Sequence, residues 1–115
     1  MIQHVAIEIR QEHVDVCIRF WALLGFDVVT PPPALADRAA WLQRAGTQVH
    51  LLYAGDPVIP PQGHVAVLVE DYDATLSALR EAGCDPQPRS EHWGSPRCFV
   101  RCPAGHRVEL MAFAP

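Results

Sequence analysis

His4, His50, His64 and Glu109 are the donor types of a divalent-metal site, and they occupy matching places in a sequence that repeats itself. Gln3-His4-Val5-Ala6-Ile7-Glu8-Ile9-Arg10 returns as Gly63-His64-Val65-Ala66-Val67-Leu68-Val69-Glu70. Ala45-Gly46-Thr47-Gln48-Val49-His50-Leu51-Leu52 returns as Ala104-Gly105-His106-Arg107-Val108-Glu109-Leu110-Met111, and Leu24-Gly25-Phe26-Asp27 as Ala82-Gly83-Cys84-Asp85. His4 and His64 therefore open two repeats, and His50 and Glu109 close them. Three imidazoles and a carboxylate combine borderline nitrogen with hard oxygen, a set suited to a first-row divalent ion such as zinc, nickel, cobalt, manganese or iron. Taken singly, each histidine reads as a surface or capping group. Glu109 alone reads as a solvated or salt-bridged carboxylate, with Arg107 a ready partner on its own face. The duplication is what favours the joint reading. His13, His92 and His106 have no counterparts, although His92 beside Trp93 stands where a loop meets the rim of a ligand site.

The elements that must hold these residues follow from periodicity. Residues 2–9 alternate Val5, Ile7 and Ile9 with His4, Ala6 and Glu8, which predicts a strand with one aliphatic and one more polar face. Residues 13–24 carry Val14, Cys17, Ile18, Trp21 and Leu24 at helical spacing, and Gly25 stops the helix. A short strand at Phe26–Val29 gives way to Pro31-Pro32-Pro33, which forces an extended loop. Residues 39–44 and 47–53 read as a hairpin around Ala45-Gly46. The second half repeats the plan with a strand over 64–70, a helix over 72–82 capped by Asp71 or Asp73, and a closing hairpin over 97–102 and 106–113. A loop over 90–96 carries His92 and Trp93.

Each half is thus β-α-β-β-β. One domain over 1–115 is expected, with a first module of about 1–54, a Pro/Gly-rich linker within Ala54–Gly63 and a second module of about 64–115. The class is α+β, with two tandem modules forming a curved mixed sheet around a cleft. By strand parity all four candidate ligands share the face opposite the aliphatic residues. Trp41, Trp93, Met111 and Phe113 offer an apolar wall, and Arg107 lies on the Glu109 face.

Composition removes several classes. The net charge of −4 lacks the basic excess of a general nucleic-acid binder. No apolar run reaches the roughly 20 residues of a membrane span, and Met1-Ile2-Gln3-His4 does not open a signal peptide. A cytoplasmic location is expected. Cys17, Cys84, Cys98 and Cys102 form no Cys-x-x-Cys pair and read as small, reduced packing residues.

The whole chain resembles the vicinal oxygen chelate superfamily, which includes glyoxalase I, bleomycin-resistance proteins, fosfomycin-resistance thiol transferases and extradiol dioxygenases. The resemblance is carried by His4-Val5-Ala6-Ile7, by Cys17-Ile18-Arg19-Phe20-Trp21-Ala22-Leu23-Leu24-Gly25-Phe26, by Gly46-Thr47-Gln48-Val49-His50-Leu51, by His64-Val65-Ala66-Val67 and by Pro103-Ala104-Gly105-His106-Arg107-Val108-Glu109-Leu110. It implies paired βαβββ modules around a cleft, with His4, His50, His64 and Glu109 at the metal positions. Glyoxalase-like members often carry glutamate where His50 stands, a departure that counts against glutathione-hemithioacetal isomerisation. The resemblance implies a small metal-dependent enzyme chelating vicinal oxygens of a small-molecule substrate by lyase, isomerase or transferase chemistry. Glu109, or an unbound neighbour such as Glu8, would move the proton; Trp41, His92, Trp93, Arg107 and Met111 would contact substrate. The alternative is a metal-free protein sequestering a bleomycin-type antibiotic. A homodimer is also implied, and the stiff linker prolines Pro57, Pro60 and Pro61 leave room for module exchange between chains.

Overall fold

The alternating segments at the start and end of the first half pair side by side. In the computed structural model, which describes residues 1–115, β1 (His4–Ile9) runs parallel to β4 (Thr47–Tyr53), with Val5 opposite Val49 and Ile7 opposite Leu51. A parallel pair cannot be joined by a tight turn, so the chain crosses over between them. The crossover consists of α1 (Val14–Leu23), β2 (Asp27–Val29) and β3 (Ala39–Arg44), and the sheet order is β1-β4-β3-β2. β3 and β4 turn on Ala45 and Gly46 at φ 49° and 83°, the two positive values that a type I′ hairpin demands.

The second half builds the same module from β5 (Val65–Leu68), α2 (Tyr72–Glu81), β6 (Gln87–Pro88), β7 (Arg97–Arg101) and β8 (Arg107–Met111). Its order is β5-β8-β7-β6, with β5 parallel to β8. The chain divides into two compact units, Met1–Ile59 and Pro60–Pro115, each with a mixed four-stranded sheet and one α-helix. The class is α+β with two tandem modules. No helix is long and apolar enough to cross a membrane.

Two local features depart from the sequence reading. Pro33–Leu35 is a turn of 3-10 helix, because Pro33 sits at its first position, where a missing N–H costs nothing. The two-residue β6 was not placed by periodicity. It lies at the sheet edge, the position that tolerates Pro88.

The aliphatic faces form the cores. In the first unit Ile9, Leu42, Val49 and Leu51 are buried, as are Cys17, Phe20 and Trp21 of α1. In the second, Val67, Cys98, Val100, Val108 and Leu110 are buried with Leu76 and Leu79 of α2. Full burial of side chains of this size contributes roughly 1.5–3 kcal/mol each. The cysteines form no disulfide, and Cys17, Cys98 and Cys102 are buried packing residues.

Both helices stop in the same way. Gly25 donates its N–H to Ala22 O and Phe26 donates to Trp21 O, each at 3.0 Å. Gly83 donates to Arg80 O at 3.0 Å, and Cys84 to Leu79 O at 2.9 Å. These are Schellman closures, and the Trp21–Phe26 edge contact, at 5.4 Å between centroids, is the apolar clasp that accompanies one. Asp71 caps α2 by accepting from the Ala74 N–H at 3.0 Å. Gly83 sits at φ +86° with open space around its α-carbon, so G83A should cost about 1–2 kcal/mol from backbone strain alone. Gly25, at φ +90°, would also press a new Cβ to 3.3 Å from Arg44 Cδ, so G25A should cost at least as much. Urea unfolding midpoints measure both, and an unchanged midpoint for G83A would refute the strain.

Candidate functional site

Partner residues across a sheet face the same side, so register decides who meets whom. In the first unit Ala6 lies opposite His50 and Trp41 lies opposite His50 from the other flank. His50 on the central strand β4 is therefore flanked by the rings of Trp41 and His4. The Trp41 and His50 rings stack at 4.1 Å with 3° between their planes, and the His4 and His50 rings at 4.1 Å with 15°. Gln43 and Gln48 orient the middle ring: Gln48 Nε2 donates to Gln43 Oε1 at 2.9 Å, and His50 Nε2 donates to Gln48 Oε1 at 2.8 Å. His4 donates from Nδ1 to Gln3 Oε1 at 2.7 Å, which leaves its Nε2 lone pair open. Burial, and then the charge of His4, hold His50 below the ordinary imidazole value.

Near-parallel imidazoles aim their lone pairs side by side, not at a common point. His4 thus offers a donor atom, while His50 is stacked behind it with Nε2 occupied. The sequence-derived residues His4, His50 and Trp41 come together in this unit as an aromatic column.

The second unit brings His64 and Glu109 together. His64 donates from Nδ1 to the Gln62 carbonyl at 2.9 Å, and a carbonyl can only accept. The other ring nitrogen, Nε2, stands 3.1 Å from Glu109 Oε2. An imidazole lone pair and a carboxylate oxygen stay that close only with a cation between them, either a proton or a metal. Two ligands bound to one ion at about 2.0–2.2 Å each lie about 3.0–3.4 Å apart for bond angles between octahedral and tetrahedral. The spacing fits a metal, and a carbonyl behind the imidazole is the support that metal-bound histidines use.

Arg97 holds the remaining carboxylate oxygen. Its Nε donates to Glu109 Oε1 at 2.8 Å while Nη1 donates to Ser90 O at 2.8 Å. Burial pushes the Glu109 carboxyl up, but the hydrogen bonds and charges of Arg97 and His64 outweigh it, and the group lies below the usual glutamate value. Arg97 was not singled out from the sequence, where Arg107 was the partner foreseen for Glu109. Arg107 instead lies over the Phe99 ring, 4.6 Å from its centroid. Neither unit by itself gathers three His, Cys, Asp or Glu side chains at one point.

Among the expected substrate contacts, Arg107 and Met111 flank Glu109 on its own strand face. Trp93 Nε1 donates to Phe113 O at 2.9 Å, so this ring ties the loop to the C-terminal segment. His92 is exposed on the same loop. Glu8 Oε1 accepts the Val58 N–H at 3.1 Å and anchors the linker to β1.

The sequence pattern of the glyoxalase-like domain matches residues 5–111, and the chain belongs to that family. It is a member of the vicinal oxygen chelate superfamily. Solved structures agree on the fold. A Bacillus anthracis protein provisionally assigned to the glyoxalase family superposes with a TM-score of 0.85 at 19% identity, over 96% of this chain and 93% of that one. Lactoylglutathione lyase from Agrobacterium tumefaciens gives 0.72 at 18%, over 96% and 92%. The fosfomycin resistance protein FosX from Mesorhizobium loti gives 0.77 at 14%, over 99% and 92%. Comparison with curated proteins gave no match.

Two titrations check the site electrostatics. The His50 ring signals should titrate with a midpoint below 6.5, and H4A should move that midpoint upward by removing the neighbouring charge. A midpoint at or above 6.5 would contradict the buried stack. For Glu109, a depressed folded value means stability that is present above the unfolded value of 4.5 and lost as pH falls through the folded one. The stability gap between metal-free wild type and E109Q should therefore narrow between about pH 6 and pH 3, and a constant gap would sink the assignment.

Proposed function

We propose that this chain is a small metal-dependent enzyme of the glyoxalase-like family, one that takes a small molecule through two adjacent oxygens. The observation that carries the reading is the His64 Nε2 to Glu109 Oε2 approach at 3.1 Å, with Nδ1 committed to the Gln62 carbonyl. His64 and Glu109 are the ligand pair, and both lie in the second unit. His50 acts behind His4, holding its ring by stacking. A divalent ion held by His64 and Glu109 would supply Lewis acidity for negative charge developing on a substrate oxygen.

The chain's own groups divide the remaining work. A carboxyl kept ionised by Arg97 is a weak proton acceptor near neutral pH, so Glu109 suits the ligand role better than the proton-moving one. His64 keeps its donor nitrogen turned to Glu109 through the Gln62 bond. Trp41 covers one face of His50 and excludes water from it. The names of the structural neighbours, a lactoylglutathione lyase and a fosfomycin resistance protein, support small-molecule chemistry without choosing the reaction. Sequestration of a cationic antibiotic is disfavoured, since the Glu109 face also carries Arg97 and Arg107. The proposal retains the single domain of two modules and the homodimer, the latter to be read by sedimentation equilibrium.

Calorimetric titration of untagged, metal-stripped protein with zinc, nickel, cobalt, manganese and ferrous ions tests the reading. H64A and E109Q should each weaken binding by about 100-fold or more, beyond the 10–100-fold typical of outer partners. Affinity should fall as pH drops through about 6.5, because ligating imidazoles must be deprotonated. Equal affinity in wild type, H64A and E109Q would end the metal reading.

A further inference from the structure

The face of the second sheet that carries Glu109 also carries arginines in a spacing that stability alone does not explain. Phe99 lies opposite Glu109 on β7, and three guanidiniums approach its ring: Arg107 at 4.6 Å, Arg97 at 5.3 Å and Arg89 at 5.8 Å from the centroid. Arg97 is occupied by Glu109 and Ser90. Arg89 and Arg107 have no carboxylate partner. Arg101, moreover, faces Arg107 directly across the β7–β8 pair. Like charges at directly opposed positions destabilise a sheet. The whole chain carries a net charge of −4, so this local excess runs against its composition.

We propose that the arginine-ringed Phe99 face binds the oxyanion group of the substrate, a carboxylate or a phosphate. Arginine presents paired N–H groups that match two oxygens of such a group, and contact with an aromatic face holds the guanidinium in place before binding. Arg107 provides a free fork, and Arg89, whose Nη1 donates to Pro88 O at 3.4 Å, keeps its other N–H groups for the anion. Arg97, fixed to Glu109, links the anion subsite to the proposed metal ligand, so a molecule bound at Phe99 sits beside the His64–Glu109 pair. The inference deepens the enzyme reading by giving its substrate a negative charge. It does not require the metal, and the two fail separately.

Metal-stripped protein labelled with nitrogen-15 is titrated at constant ionic strength with inorganic phosphate and, separately, with malonate. Saturable shifts are expected at the Arg89, Arg97 and Arg107 Nε–H signals for at least one anion, and the tighter of the two names the group. R107Q should weaken binding about tenfold, the loss of one charge-assisted fork. R107K, which keeps the charge and spares the strand, should weaken it by a smaller factor. R80Q removes the same charge from α2 and should change affinity less than about twofold. The absence of saturable shifts with both anions would overturn the proposal. So would an R80Q loss equal to that of R107Q, since binding would then be diffuse attraction. If zinc fails to bind in a parallel titration while the anion shifts persist, the metal reading falls and this one stands.

Discussion

Everything at the candidate site depends on the parallel pairing of the first and last strands of each module. β1 beside β4, and β5 beside β8, bring together residues far apart in the chain. Ala6 opposite His50 lets His4 reach across the diagonal to stack on His50. Ala66 opposite Glu109 does the same for His64. In both cases an alanine occupies the directly opposed position, and its small side chain leaves the diagonal open. A one-residue slip of either pair would turn the polar set into the core and the aliphatic set to the outside. The buried face, through Ile9, Val49, Leu51, Val67, Val108 and Leu110, therefore enforces the register that the polar face uses.

The two units put one backbone plan to different chemical ends. The first gathers aromatic rings, Trp41, His50 and His4, in a column oriented by glutamines. The second gathers charge, with Glu109 held between His64 and Arg97 while further arginines surround Phe99. Burial acts oppositely on the two closing residues. It lowers the proton affinity of His50 and raises that of Glu109, but only Glu109 has cationic partners that reverse the effect. The closing carboxylate thus stays ionised and the closing imidazole is pressed towards neutrality. Both are the states that a metal ligand or its support requires.

Much was legible in the sequence because it depends on period and local chemistry. Period-two alternation gave the strand faces, and with them the shared face of His4, His50, His64 and Glu109 within each sheet. Gly25 and Gly83 marked the helix ends because a Schellman closure requires a positive φ. Asp71 marked the start of α2. Ala45-Gly46 marked a hairpin, and the duplicated segments marked two modules of one plan. None of these needs knowledge of a distant neighbour.

Which polar group meets which was decided only by the tertiary structure. Arg97 and Arg107 are both one diagonal or one strand step from Glu109, and sequence spacing favoured Arg107. The β7–β8 register sets Phe99 opposite Glu109; Arg97 and Arg107 both lie over that ring, and Arg97 alone of the two also bonds the carboxylate. The stacking of His50 between Trp41 and His4, and the aim of His64 at Glu109, likewise required the crossover pairing and the rotamers packed around it. Periodicity assigns a side chain to a face, and the sequence alone determined that much. The partner on that face is set by register between strands that the chain brings together only on folding.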